Sequence, residues 1–341
     1  MDTEVIKLND KNYDYAINLA GKHIRRGNIV IFPTETVYGI GANALDKESS
    51  KKIYKAKGRP SDNPLIVHIE NINDLNRLSK KIDERTEKII DCFWPGPLTI
   101  IVEKNEIVPS CITGGLNTVA VRMPSNKIAR DIIKKSGVPI AAPSANISGR
   151  PSITSEKFIS DEFFGKVDLI ILNDSTEIGI ESTVIDVTGE NIVILRPGFV
   201  TKNDLENLLS EKVIFDLNID DNTKAPKSPG MKYRHYAPKC ELYLVSGSID
   251  NQIDTTKIQI ENDIKNDIKS IVLGLENNKK YFENYLDLGN SDIDVAKNIF
   301  TNLRRLDEMK IQKAYFLYEI KSDLDFSILD RVKKAAGYKI I

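Results

Sequence analysis

The chain has 341 residues, about two domains at roughly 150 residues each, long enough for each to close its own core. Hydrophobic residues make up 41% and charged residues 28%, which excludes a disordered or peptide-sized protein. Lys and Arg number 48 against 49 Asp and Glu, so the net charge of -1 excludes a global pull onto nucleic acid or a membrane, and any such contact must come from a local patch.

The N-terminal stretch from Met1 to Glu4 is acidic where a secretion signal would be basic, and no apolar segment follows it, so export is not expected. Tyr13 to Arg26 carries apolar residues at three- and four-residue spacing and reads as a helix. "NIVIF" is the first of eight β-branched runs, followed by "LIVHI", "LTIIV", "TVAVRMP", "PIAAP", "DLIILN", "STVIDV" and "NIVILRPG". Helical spacing recurs between them, at Lys47 to Lys55, Ile72 to Cys92 and Lys127 to Ser136. Strands and helices interleaved in this way predict an α/β domain, and the uneven connections predict a mixed sheet. The apolar runs Ile29 to Phe32 and Leu98 to Val102 fall far short of the roughly 18 residues a membrane helix needs.

The period breaks between Leu217 and Pro238, where three prolines and a basic, aromatic cluster suit a functional linker better than a passive spacer. Beyond it, "ELYLV", "SIVLGL" and "AYFLYE" read as strands, with helices at Asp294 to Lys310 and Ile328 to Ala336. The expected organisation is therefore a domain over 1–215, a linker over 216–240 acting as a lid, and a smaller α/β domain over 241–341. Cys92, Cys111 and Cys240 form no C-x-x-C pair, and His23, His68 and His235 are scattered, so neither a disulfide framework nor a dedicated metal site is expected. A reducing cytoplasm fits that cysteine usage.

Several clusters could carry chemistry. In "FPTETVYGIGANA" a strand runs into a Thr/Gly-rich turn holding Glu35, where Gly39 and Gly41 offer no Cβ to obstruct a ligand. A plain strand-to-helix turn would look the same. In "KAKGRPSDNPLIVHI", Lys57 and Arg59 alternate, and on an extended segment they would share a face suited to polyphosphate. A solvated turn is the bland alternative. His68 in its apolar strand suits a hydrogen-bonded core residue as well as a ligand contact. Arg122 in "TVAVRMP" must be paired or reach a pocket. "APSANISGRPS" offers Ser144, Asn146, Ser148 and Ser152, while "ESTVIDV" and "LRPG" bring Ser182, Thr183 and Arg196 near strand ends. No Walker loop, no strand-borne G-x-G-x-x-G and no G-x-S-x-G occurs, which excludes a standard P-loop NTPase or dehydrogenase and weakens a hydrolase reading.

The ordered set "PTETVYGIG", "KxRP…NPLIVHI", "WPGPLT", "VRMP", "PSANxSGxPS", "STVID", "LRPG" and "SPGMKYRHYAP" closely resembles the two-domain threonylcarbamoyl-AMP synthases. The resemblance is strong over about residues 5–205 and in the linker, and beyond it holds in position and size only. It implies a YrdC-like twisted mixed open sheet with helices, followed by a smaller Rossmann-like α/β domain. It also implies joining of L-threonine, bicarbonate or CO2, and ATP into L-threonylcarbamoyl-AMP, with release of pyrophosphate and Mg2+ carried by the ATP. A downstream tRNA threonylcarbamoyl transferase complex would use the product, and a weak direct tRNA contact is an open option.

Residue by residue, the family's K-x-R and S-x-N signature falls on Lys57, Arg59, Ser144 and Asn146 as catalytic residues. By the same resemblance, Arg59, Asn63, Thr118, Ser144, Ser152 and Arg196 contact ATP, and Tyr236, with Tyr233 as the alternative, closes over the nucleotide. Thr36, His68, Arg122, the backbone at Ala142, and Ser182 surround threonine. The chemistry agrees: a guanidinium fork suits the substrate carboxylate, and cations suit a departing pyrophosphate. Two competing readings are a non-catalytic RNA-binding protein with a YrdC-type fold and a carbamoyl-phosphate-dependent hydrogenase maturase. Balanced charge weighs against the first, and the lack of zinc-finger cysteine pairs against the second.

Overall fold

The computed structural model describes residues 2–216 and 235–341, so most of the expected linker, Tyr233 included, lies outside the described residues. The chain divides into two compact units. The first comprises Met1–Ser148, Ile153–Glu177 and Glu181–Lys232; the second comprises Gly149–Ser152, Ile178–Ile180 and Tyr233–Ile341.

The first unit runs β1 (Glu4–Lys7), α1 (Tyr13–Arg25), β2 (Val30–Phe32), β3 (Gly39–Asn43), α2 (Lys47–Lys57), β4 (Ile66–His68), α3 (Ile72–Leu78), α4 (Glu84–Phe93) and β5 (Leu98–Glu103). It continues with β6 (Thr118–Arg122), α5 (Lys127–Ser136), β7 (Ile140–Ala141), α6 (Ile159–Phe163), β8 (Leu169–Leu172), β9 (Thr183–Asp186), β10 (Val193–Arg196), α7 (Lys202–Leu209) and β11 (Ile214–Phe215). The strands form one mixed sheet in the order β1-β8-β2-β3-β7-β4-β6-β5-β9-β10-β11. β2, β3, β7 and β4 pair antiparallel in succession, whereas β4 and β6, like β5 and β9, pair parallel.

Side-chain alternation gives the sheet two buried faces. Val30 and Phe32 point into the cluster formed by Ala16, Ile17, Ala20 and Ile24 of α1 and Ile128, Ala129, Ile132 and Ile133 of α5. Ile31, Ile40, Val67, Ile100, Val121 and Ile185 belong to the larger cluster. At Gly21 of α1 a Cβ would stand 2.7 Å from the backbone of Lys135, so only glycine permits this helix approach.

Two sequence expectations change here. The helix expected over Ile72 to Cys92 is two helices, because Asp83 accepts the Thr86 N–H at 2.8 Å and starts a new one after extended backbone at Ser79. The Gly-rich stretch after Phe32 contains a strand, and a Cβ on Gly41 would lie 2.5 Å from the Phe32 ring and 2.8 Å from Ile140. Gly41 thus serves packing between neighbouring strands.

The second unit contains β12 (Glu241–Val245), α8 (Ile249–Lys265), β13 (Ser270–Gly274), β14 (Tyr285–Asp287), α9 (Asp292–Glu308), β15 (Lys313–Leu317) and α10 (Asp323–Ala335). Its sheet is parallel throughout, in the order β12-β15-β13-β14. Within this unit Arg304 of α9 donates to the carbonyls of Pro151 and Ser152, the Tyr236 ring packs on Phe300 at 5.0 Å, and Ala237 N–H donates to Gly149 O at 2.9 Å. Among the described residues no helix is long and apolar enough to cross a membrane.

Candidate active site

Strand ends and the loops that follow them build a cleft in the first unit. Its wall comprises Thr34, Thr36, Val37 and Tyr38 from the β2–β3 loop, Gly39, Arg59 after α2, and Ile66 and His68 of β4. Arg122 ends β6, Ala142, Pro143 and Ser144 follow β7, Glu181 and Ser182 precede β9, and Arg196 ends β10. A single cleft therefore carries three guanidinium groups, hydroxyls and a buried imidazole.

Arg122 is 4% exposed and held from three sides. Its Nε donates to Gly96 O at 3.2 Å, Nη1 donates to Thr36 Oγ1 at 2.9 Å, and Nη2 lies 2.6 Å from Glu35 Oε1. The same Glu35 oxygen accepts the Ser125 N–H at 3.1 Å. Burial alone would push the Glu35 carboxyl up, but the Arg122 charge and the Ser125 donor outweigh it and hold the group below its ordinary range. Glu35 is therefore ionised at neutral pH. The His68 ring sets Nδ1 3.3 Å from Ile66 O, and burial, then the Arg122 charge, pull its pKa down to about 3. His68 is a neutral imidazole across the physiological range.

Also in the cleft wall, Arg196 donates from Nε and Nη2 to Ser182 O at 3.1 and 2.9 Å, and from Nη2 to Ser182 Oγ at 3.1 Å. Thr99 Oγ1 lies 2.8 Å from the same hydroxyl. Gly198 makes room for this arrangement, since a Cβ there would lie 2.3 Å from the Thr183 nitrogen. Arg59 donates to Asn63 Oδ1 at 2.6 Å and Pro64 O at 3.0 Å, which aims its guanidinium along the turn between α2 and β4.

Residues 22–198 match the family model described as telomere recombination, which takes in Sua5, YciO and YrdC. Residues 200–337 match the model for the threonylcarbamoyl-AMP synthase C-terminal domain. The chain belongs to the threonylcarbamoyl-AMP synthase family. The synthase of Pyrococcus abyssi is 42% identical over 99% of both chains, and that of Bacillus subtilis is 38% identical over 99% of this chain and 97% of its own. The crystal structure of P. abyssi Sua5 complexed with L-threonine superposes with a TM-score of 0.93 at 40% identity, covering 100% of this chain and 99% of that one. This synthase accordingly shares both the mixed-sheet domain and the smaller parallel-sheet domain of that structure.

Of the residues singled out in the sequence, Thr36, Arg59, His68, Arg122, Ala142, Ser144, Ser182 and Arg196 line the cleft of the synthase. Asn63 stands behind Arg59 as its hydrogen-bond partner. Thr118 begins β6, four residues before Arg122, and is not part of the cleft wall. Ser152 and Tyr236 belong to the second unit, where Ser152 is fully buried and Tyr236 is 5% exposed with φ at 63°.

Lys57 is a correction to the expected geometry. It is the last residue of α2, followed by left-handed Gly58, so it does not alternate with Arg59 along an extended segment. Its ammonium, buried with the residue at 1% exposure, donates to Ser144 O, to Asn146 O at 2.7 Å and to Asn146 Oδ1 at 3.3 Å. The K-x-R and S-x-N motifs meet because the lysine ties down the turn that presents Ser144. Glu35, Gly96, Thr99 and Ser125, which hold the cleft arginine and serine, were not assigned roles from sequence. Glu35 lies in the "PTET" motif and Gly96 and Thr99 in "WPGPLT", whereas Ser125 directly follows "VRMP".

Proposed function

We propose that this cleft binds threonine at its Arg122 end and the triphosphate of ATP at its Arg59 and Arg196 end, so that one chamber makes L-threonylcarbamoyl-AMP. The observation that supports this is the convergence of those three guanidinium groups with Thr36, His68 and Ser182 in one cleft. Each terminal nitrogen of Arg122 retains an N–H beyond its contacts to Thr36 and Glu35, enough to grip a carboxylate with a fork. Thr36 and Ser182, each already bonded to a cleft arginine, supply hydroxyls that a substrate hydroxyl can still pair with, a contact that valine would not make.

In the proposed sequence bicarbonate dehydrates to CO2, whose carbon is attacked by the neutral amine of threonine to give the carbamate, and the proton lost from nitrogen joins the hydroxide given up by bicarbonate as water. A carbamate oxygen then displaces pyrophosphate in line from the α-phosphorus of ATP. The bond formed is O–P, the bond broken is that to the β-phosphate oxygen, and the leaving electron pair departs on pyrophosphate. Arg59 and Arg196 act by position and fixed charge. Ser144, held by Lys57 and by its own donation to Asn146 Oδ1 at 2.6 Å, orients the phosphates. Among the described residues no three His, Cys, Asp or Glu side chains cluster to hold a metal, and Glu181 is the carboxylate in the cleft wall. Mg2+ is thus proposed to arrive on the triphosphate oxygens, where it would neutralise charge on the leaving group. The product would pass to a tRNA-modifying transferase in the cytoplasm. Full-length relatives that are synthases favour this reading over a non-catalytic RNA-binding role.

Arg59→Ala should lower threonine-dependent pyrophosphate release at least about tenfold, about 1.4 kcal/mol in the barrier, with the loss falling on the ATP dependence. Unchanged release would remove Arg59 from the phosphate site.

A further inference from the structure

The Arg122 end of the cleft differs from a simple cationic hole because a buried carboxylate outside the cleft wall is paired with its arginine. Glu35 is 1% exposed, lies 2.6 Å from the guanidinium, and its second oxygen, Oε2, is buried with no hydrogen-bond partner among the described residues. Arg122 needs no such partner to stay in place, since Gly96 O and Thr36 Oγ1 already hold two of its nitrogens. Burying a carboxylate with an unsatisfied oxygen is costly. Its charge therefore calls for an explanation beyond orientation.

Arg122 contributes one positive charge, Glu35 one negative charge, and His68 none, so this end of the cleft is net neutral. At the few ångströms involved, Coulomb interactions scale with ligand charge. A zwitterionic amino acid feels Glu35 twice with opposite sign, as repulsion of its carboxylate and attraction of its ammonium. A phosphate group carries no compensating positive charge and feels only repulsion, on about one to two charges at neutral pH. An arginine without Glu35 would bind the phosphates of ATP or pyrophosphate as readily as a carboxylate.

We propose that Glu35 is a specificity-determining residue that neutralises the Arg122 end and so reserves it for a zwitterionic amino acid against phosphate-bearing anions. This rests on the reading that Arg122 receives the threonine carboxylate.

The test is steady-state inhibition by inorganic phosphate, with threonine varied at saturating ATP, for the full chain and for Glu35→Gln. The amide preserves shape, and its new N–H group falls where Oε2 has no donor against it. The expected result is that the ratio of the phosphate inhibition constant to the threonine KM falls at least about tenfold in Glu35→Gln; a purely structural role, which would loosen Arg122 for both ligands alike, would move kcat and KM and leave that ratio unchanged. An equal ratio in both proteins would overturn the proposal. Arg122→Gln separates the two readings: a threonine KM unaffected by it would remove Arg122 from the threonine site, whatever Glu35 does. Should Glu35→Gln not fold, the unaltered protein still decides, because 3-hydroxybutanoate, which lacks the ammonium, should compete at least about tenfold more weakly than threonine binds. Comparable binding of the two would contradict the proposal.

Discussion

His68 shows how one side chain is set by its surroundings. Sequence alone left it between a core histidine and a ligand contact, since both sit in apolar strands. The structure makes it both buried and cleft-lining, and its pKa of about 3 against an unfolded value of 6.5 has a consequence for stability. The unfolded chain takes up a proton that the folded chain refuses, so this contribution is complete above pH 6.5 and is lost as pH falls from 6.5 towards 3. Glu35, whose pKa is lowered, loses its contribution only below the ordinary carboxylate value of 4.5 and adds nothing to the window from pH 7 to 5. Between those two pH values, urea unfolding of His68→Asn should lose about 2 kcal/mol less stability than the unaltered protein. Identical losses would mean that His68 is protonated in the folded state.

At the level of elements, the strands whose residues are β-branched and bounded by turns were legible, as were the helices with a continuous apolar stripe. What was not legible depended on long-range packing. β3 carries two glycines and no strand signature of its own; it exists because Phe32 and Ile140 occupy the space that side chains would take. Helix α8 buries Gln252, Thr256 and Asp263 along with Ile253, so its inner face does not look apolar in sequence. Lys57 was legible as a motif residue but not as a helix end, because the left-handed Gly58 that stops α2 also stands in a plausible turn. For β3 the packing account predicts that Gly41→Ala costs about 1–3 kcal/mol through overpacking, read as a lower urea midpoint. An unchanged midpoint would show that the strand can shift to admit a methyl group.

At the level of the whole molecule, the motif order was legible because the site residues of the first unit lie at strand ends, in a fold that gathers those ends around one cleft. The boundary was less so. Gly149–Ser152 and Ile178–Ile180 lie early in the chain yet cluster with the second unit, where Arg304 binds the carbonyls of Pro151 and Ser152. No local pattern announces a contact spanning some 150 residues. A fragment ending at residue 216 loses Arg304, and it should keep the mixed-sheet fold by circular dichroism while its pyrophosphate release drops at least about tenfold. Full activity of that fragment would make the second unit dispensable for the chemistry.

The central claim is that one cleft seats both substrates, the amino acid against Arg122 and the triphosphate against Arg59 and Arg196. A crystal structure of the protein with threonine and a non-hydrolysable ATP analogue tests it most directly. The account predicts the threonine carboxylate on the Arg122 terminal nitrogens, its amine facing the α-phosphate, and the phosphates beside Arg59 and Arg196. Phosphates on Arg122, or the two ligands in hollows that do not adjoin, would contradict it.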